Sequence, residues 1–475
     1  MSGSKSHTQQ ISKSLKYSIA DGSAYSAMLG LTQDYIVPFA LALKATAVQI
    51  GLLTSIPNAS MALSQLAAPR LAEKAGNRKG LIVPVVFLHA LMWLPILLVP
   101  YLSLTHKAWW LIGFLTVSTV FSSLGNPAWG SLMADLVPEE VRGRYFSFRG
   151  RICGLVTLAF FFIGGAILHF FAANLFLGFF FLFSAAMLFR LVSCHLLSKM
   201  HEPPLSDHRK ERSSLLHVVR NMGWSNLGRF MMLVSLMNFA TNVAGPFFAV
   251  YMLRDLKFNY LTYVTVIGVA TMANLIFLTF WGKRADRAGN ISVLKVTSVL
   301  VPLVPLLWIG SHQLHYLIPV QILSGFAWAG FNLASANFLY DASAPEKRTQ
   351  YIAVFNALNG CAVCLGALLG GYLASWLPPL RGYSLLTLFL VSGALRGVVA
   401  IHLLRHVSEV RKVPRIGAAE FLFGRPNFRR IGVSNSLQPA PQPLSEFNAK
   451  KLGAAFSLHP AWWHELAAPS RDPPS

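Results

Sequence analysis

Acidic side chains are scarce in this chain: 18 Asp and Glu stand against 40 Lys and Arg in 475 residues. Charged residues of both signs make up only 12 %, about half of the roughly 25 % usual in soluble proteins. That deficit excludes an ordinary soluble domain. Cysteine is nearly missing as well, with four in the chain, all inside apolar stretches, which excludes an extracellular disulfide framework. Cys361-x-x-Cys364 has metal-ligand spacing but no neighbouring His or acid, so neither a metal nor a cofactor is expected. No Gly-x-x-x-x-Gly-Lys-[Ser/Thr] phosphate loop is present, because Gly223 to Gly228 has the glycine spacing without the lysine. No paired acids or His/acid/nucleophile cluster marks an enzyme. The first 16 residues are polar and lack an apolar h-region, so no removable signal peptide is expected.

What the chain does have is long apolar blocks. Hydrophobic residues reach 54 % and the mean hydropathy is +0.51. Residues 81–104 and 152–189 contain no Asp, Glu, Lys or Arg. About 20 apolar residues cross a ~30 Å hydrocarbon core, so these blocks read as membrane spans. The pattern predicts twelve, near 17–42, 48–68, 81–103, 109–133, 147–170, 174–198, 230–252, 261–281, 292–311, 316–340, 352–377 and 383–404. Alternate connecting segments, with the two tails, hold 33 of the 40 Lys and Arg; the opposite segments hold Lys44, Lys107, Arg254, Lys257 and Arg381. Basic residues are retained on the cytoplasmic side, which predicts both termini inside, in the cytoplasmic (inner) membrane of a bacterium. The net charge of +22 is then mostly topology, and a nucleic-acid partner is not expected.

The sequence also repeats itself. PRLAEKAGNRKG at 69–80 is a partial copy of WGKRADRAGN at 281–290, with Ala-Gly-Asn shared. Asp135 to Tyr145 (DLVPEEVRGRY) matches Asp341 to Tyr351 (DASAPEKRTQY). Asn126 and Asn332 each precede those aspartates by nine residues, and Gly164-Gly165 corresponds to Gly370-Gly371. Asp34-x-x-x-Pro38-Phe39 mirrors Asn242-x-x-x-Pro246-Phe247, and Asp21 and Arg229 each lie thirteen residues upstream. The duplication divides the chain into a cytoplasmic tail (1–16), a six-span half (17–198), a linker (199–229), a second six-span half (230–405) and a disordered, cytoplasmic tail (406–475).

Twelve spans, a six-plus-six duplication and a charged segment after the second span of each half resemble the major facilitator superfamily, in a bacterial type that indicates no substrate. The family's signature, Gly-x-x-x-Asp-Arg-x-Gly-Arg-Arg, is matched by Gly282, Asp286, Arg287 and Gly289. The first copy has drifted to Pro69, Glu73, Lys74, Gly76, Arg78 and Lys79. The resemblance implies an all-α membrane fold of two pseudo-symmetric six-helix halves. It also implies that these residues, with Asp135, Arg142, Arg144, Asp341 and Arg348, form a breakable cytoplasmic gate. Their other reading is as topology signals only. Gly282 and Gly289 are expected in a tight turn, and Asp286 near the start of the following span, where the helix dipole favours an acid.

Within the spans the only acids are Asp21 and Asp34. A carboxylate inside a membrane segment costs about 2.5–3.5 kcal/mol on insertion scales and marks a cavity or a partner. Asp34 is a cargo or proton site, or a structural hydrogen-bonding partner; Asp21 sits nearer the cytoplasmic rim. In the family, spans one, four, seven and ten line the central cavity, so the resemblance turns Gln33, Asp34, Asn126, Asn242, Asn332 and Asn337 inward. Arg190 and Arg396 lie late in spans six and twelve and read as snorkelling to the interface. The Phe runs 160–162 and 179–181 read as facing lipid, and His89 is not expected to be a ligand.

The function expected is secondary transport of a small organic solute by alternating access, open to proton coupling through Asp34, by a monomer in the lipid bilayer. A facilitator without ion coupling remains open. So does a non-transporting sensor or assembly partner on the same fold.

Overall fold

The computed structural model describes residues 2–75, 77–103, 105–138, 141–203, 225–343, 348–403, 406–411 and 413. Among them the chain is helical, without strands; Leu380 and Tyr383 alone form an isolated bridge. In chain order the helices are α1 (Ser2–Thr32, resuming as Ile36–Ala42), α2 (Ala47–Ala75), α3 (Arg78–Leu91, resuming as Trp93–Leu98), α4 (Lys107–Leu136), α5 (Arg142–Phe170) and α6 (Leu175–Ser198). The second set is α7 (Asn226–Ala244, resuming as Phe247–Val250), α8 (Tyr260–Ala288), α9 (Asn290–Leu307), α10 (Leu314–Ala342), α11 (Arg348–Trp376) and α12 (Ser384–Leu403). Ten of these helices, α3 to α12, are long and apolar enough to cross a membrane. α1 runs on from the expected polar tail without a break at residue 16.

Proline sets the interruptions. A proline cannot donate to the carbonyl four residues back, and its ring crowds that carbonyl. Pro38 thus frees the Asp34 carbonyl, and α1 breaks at Gln33–Tyr35. The freed carbonyl finds its donor in the other half of the chain: the Tyr263 hydroxyl of α8 donates to it at 2.8 Å. Pro95 interrupts α3 after Leu91, and Pro246 interrupts α7 after Ala244, in the position matching Pro38.

Among the described residues, three apolar cores hold the bundle together. One lies at the end away from the basic segments and draws on both halves: Tyr35, Phe39 and Phe179 from the first, Val243, Phe247, Trp308 and Phe389 from the second. At the basic end there are two. One is built on Leu81, Val85, Leu132 and Tyr145, the other on Phe230, Trp281, Phe331 and Phe338, and each stays within its own half. Small residues bring the halves together away from the basic end. Gly51 of α2 meets Gly371 of α11 so closely that a Cβ on Gly51 would lie 2.6 Å from the Ala367 carbonyl oxygen. Nearby, the Ser55 hydroxyl donates to the Cys364 carbonyl at 2.8 Å.

Several helices continue past the apolar blocks at the basic end, which corrects two expectations. α8 runs to Ala288, so Gly282 and Asp286 are helical, and Asp286 sits exposed in its last turn, not at the start of α9. The turn itself is Gly289, at φ +85° and ψ 161°, a region essentially reserved for glycine. The acid at the start of α9 is Glu409, which accepts from the Ile291 N–H at 2.9 Å and lies where a Gly289 Cβ would project. Gly289→Ala should therefore destabilise the protein by about 1–3 kcal/mol. Gly282→Ala, in helix with its nearest outside neighbour at 3.8 Å, should stabilise it by up to about 1 kcal/mol. Denaturant unfolding in detergent reads both, and equal signs would refute the assignment of the turn.

Candidate functional site: a charged cavity in the first half

The residues expected in a central site fall into separate groups. Gln33 and Asp34 occupy the break in α1, at the interface with α8; Gln33 is exposed, and the Asp34 carboxylate has no partner among the described residues. Asn242, on α7, donates to the Asn238 carbonyl at 2.9 Å. Asn332 is exposed on α10 and Asn337 half-buried. Asp21 and Asn126 are the pair brought together: both line one cavity of about 150 Å³ between α1, α3, α4, α5 and α6.

Asp21 is buried at 4 % exposure in a chain of contacts that crosses four helices. Arg190 of α6 donates through Nε to His89 Nδ1 of α3 at 2.9 Å and through Nη1 to the Ser193 hydroxyl at 3.0 Å. Ser193 donates to Asp21 Oδ1 at 2.6 Å. The other oxygen, Oδ2, lies 3.8 Å from Nη2 of Arg149 on α5, whose Nε donates to the Ser18 carbonyl at 3.1 Å. Aromatic faces hold both guanidinium groups, Tyr25 under Arg190 at 4.5 Å and Trp129 under Arg149 at 4.7 Å. Gly22 makes the approach to α1 possible, since a Cβ there would stand 2.5 Å from Arg149 Nη2. An imidazole that accepts at Nδ1 keeps its proton on Nε2 and is neutral. The cavity wall therefore carries two cations against one anion.

Arg190 does not snorkel. It is 6 % exposed and Arg396 2 % exposed, because each finds polar partners within the bundle. In the second half Arg396 donates to the Ser392 hydroxyl (3.1 Å) and to the Val301 (3.3 Å) and Thr241 (3.4 Å) carbonyls, with no carboxylate partner among the described residues. Where the first half has Asp21, the second has Arg229, which donates to the His406 carbonyl at 3.3 Å. Amides take the place of charge between α7 and α11: Asn238 and Ser235 both donate to Asn359 Oδ1, at 3.0 and 3.2 Å. The Phe runs do not all face lipid either. Phe161 and Phe179 are core residues, since successive helical positions turn by 100° and cannot share a face.

The residues expected to form a gate at the basic end are clasped within each half. Arg78 pairs with Asp135 at 2.5 Å, and Asn290 donates to Asp341 at 2.8 Å at the matching place. Glu202 accepts from the Arg78 and Lys79 N–H groups at 2.6 and 3.3 Å, as Glu409 does from Ile291, so each chain segment after α6 and α12 returns to cap α3 or α9. Arg142 and Arg348 each reach back eight residues to a helix-end carbonyl, of Ala134 at 2.9 Å and Tyr340 at 3.5 Å. Arg144 is exposed and Arg287 partly so. The side chains of Glu73 and Lys74, and Gly76 altogether, lie outside the described residues.

Comparison with known proteins bears on both fold and function. The model of the Major Facilitator Superfamily matches residues 18–310 and again 230–468. Among solved structures, the nucleoside transporter NupG is 14 % identical with a TM-score of 0.63, covering 83 % of this chain and 98 % of that one. A D-xylose-proton symporter is 13 % identical, TM-score 0.64, over 86 % and 99 %. A bacterial homologue of the iron transporter ferroportin in an inward-facing state is 16 % identical, TM-score 0.61, over 84 % and 99 %. At such identities the likeness is one of fold. No curated protein sequence matches. The duplicated helical bundle, with a family match across nearly its whole length, makes this chain a member of the Major Facilitator Superfamily and a multi-pass membrane transporter, not an enzyme.

Proposed function

We propose that this protein is a secondary transporter that carries a small organic solute by alternating access, in a state closed at one end and open at the cytoplasmic one. The observation that supports this reading is the distribution of the cores: one core shared by both halves away from the basic segments, and two separate cores at the basic end. Two halves that, among the described residues, share an apolar core at one end and have separate cores at the other can rock about a central site. With α1 and α2 included, the chain makes twelve spans, and the positive-inside bias puts both termini and the open end in the cytoplasm. A bacterial inner membrane and a monomeric unit complete the reading.

Asp34 is the proposed coupling carboxylate. It sits at a break in α1, on the seam between the halves, with no side-chain partner among the described residues, so rocking would change its surroundings. The test is uptake into proteoliposomes from a panel of sugars, organic acids, amino acids and nucleosides, with and without an imposed pH gradient. One proton per solute and one pH unit support at most about tenfold accumulation. Wild-type uptake should rise towards that limit, whereas Asp34→Asn should lose the gradient response yet keep solute exchange. A wild type that carries solute without any response to the gradient would leave a facilitator. No flux of any solute would remove the transport cycle in favour of a sensor.

A further inference from the structure

We infer that the cavity beside Asp21 binds the carboxylate of a small organic anion, a ligand site walled by helices of the first half. The inference goes beyond the transporter reading and is tested separately from it.

The sign of the site comes from every helix that walls it. α1 contributes Asp21, α5 Arg149 and α6 Arg190. Behind the wall, α3 carries His89, neutral because it accepts from Arg190, and α4 presents Ser122, Gly125, Asn126 and Trp129 to the cavity, none of them charged. One positive charge is left over in a low-dielectric interior, where an unmatched charge is costly. Asp21 does not consume the arginines. It meets Arg190 only through Ser193, and Arg149 at 3.8 Å, beyond hydrogen-bonding distance. Arg190 Nη2 and Arg149 Nη1 make no hydrogen bond among the described residues, and neither belongs to the fully enclosed unsatisfied atoms; both donors open onto accessible space. Two free donors on planar guanidinium groups, each packed against an aromatic ring, suit a carboxylate.

The remaining wall sets the body of the ligand. Ile82, Val86 and Leu197 are apolar, so the site favours an organic acid over a fully hydrated inorganic ion. A cavity of about 150 Å³ is the size that accommodates benzene, well below the roughly 300–1,000 Å³ of drug-sized sites. A ring-sized monocarboxylate matches that space.

Benzoate is the probe, with benzyl alcohol as its uncharged counterpart and phosphate as the inorganic alternative. Titration calorimetry on the purified full-length protein in detergent should show benzoate binding and no binding of benzyl alcohol at the same concentration. Arg149→Gln should weaken benzoate by about tenfold or more, the scale of a charged hydrogen bond. Asn126→Asp supplies a variant outside the arginine contacts; placing a second anion in the wall, it should also weaken benzoate about tenfold, while Asp21→Asn should tighten it. Benzyl alcohol binding as well as benzoate, indifference to both Arg149→Gln and Asn126→Asp, or phosphate outcompeting benzoate would each overturn the inference. Absence of benzoate binding in a protein that still carries neutral solutes would remove the anion site and leave the transporter. Benzoate binding without flux of any solute would keep the site and remove the transporter.

Discussion

Gly51→Leu should reduce transport by about tenfold or more and leave the protein folded. A Cβ at residue 51 would stand 2.6 Å from the Ala367 carbonyl oxygen and 3.0 Å from the Gly371 Cα. Both neighbours are backbone, so no rotamer change relieves the contact, and α2 and α11 must part. Overpacking of this kind costs about 1–3 kcal/mol, which moves a two-state equilibrium by about 5–150-fold. The penalty falls on the state in which the halves meet away from the basic end. Spin labels at Lys44 and Trp376, both exposed near that end, should separate in the variant, while labels at Arg151 and Lys283 at the basic end should approach. Gly113→Leu on α4, where an added Cβ meets nothing within 4 Å, is the control and should change neither distance. Unchanged distances in Gly51→Leu would mean that the glycine contact does not hold that end shut.

Asp21→Ala is expected to cost about 3–5 kcal/mol of stability, the range for removing one partner from a buried charged cluster. The loss comes from what remains. Arg149 and Arg190 would share the cavity with no anion, and Ser193 would lose its 2.6 Å acceptor. A second substitution, Arg149→Met, brings the wall back to a single positive charge and should recover at least half of the loss. Unfolding in detergent across the four proteins of this double-mutant cycle measures the coupling. A single-mutant change below about 0.5 kcal/mol, the level of an ordinary surface substitution, would show that the Asp21 carboxylate takes no part in the charge balance.

The duplication made the halves, their matched prolines and the family legible in the sequence, because a repeat survives wherever residue spacing survives. Hydropathy marks where the membrane is, not where a helix stops, and that is why Lys283, Asp286 and Arg287 read as a turn although α8 carries them to Ala288. Arg190 reads as a snorkelling residue for a related reason. Its distance from the end of α6 suits snorkelling, yet it shares one helical face with Ala186, Ser193 and Leu197, all buried, while Leu188 and Val192 are exposed. That 3–4 spacing was the available signal for an inward arginine. His89 and Arg149 gave no comparable signal, because their role depends on α1, α5 and α6 converging at Asp21. Glu202 and Glu409 lie outside the apolar blocks and read as linker and tail, although each follows the last span of its half.

Those two glutamates have a consequence for how the chain could be divided. Each half is fastened from its own last helix to its own third, through Glu202 to the start of α3 and through Glu409 to the start of α9. Neither clasp uses residues 204–224. A gene cut within that interval would yield two fragments that each keep their own fastening, so the halves could be made as separate polypeptides and mated in the bilayer, or exchanged piecewise with those of a relative.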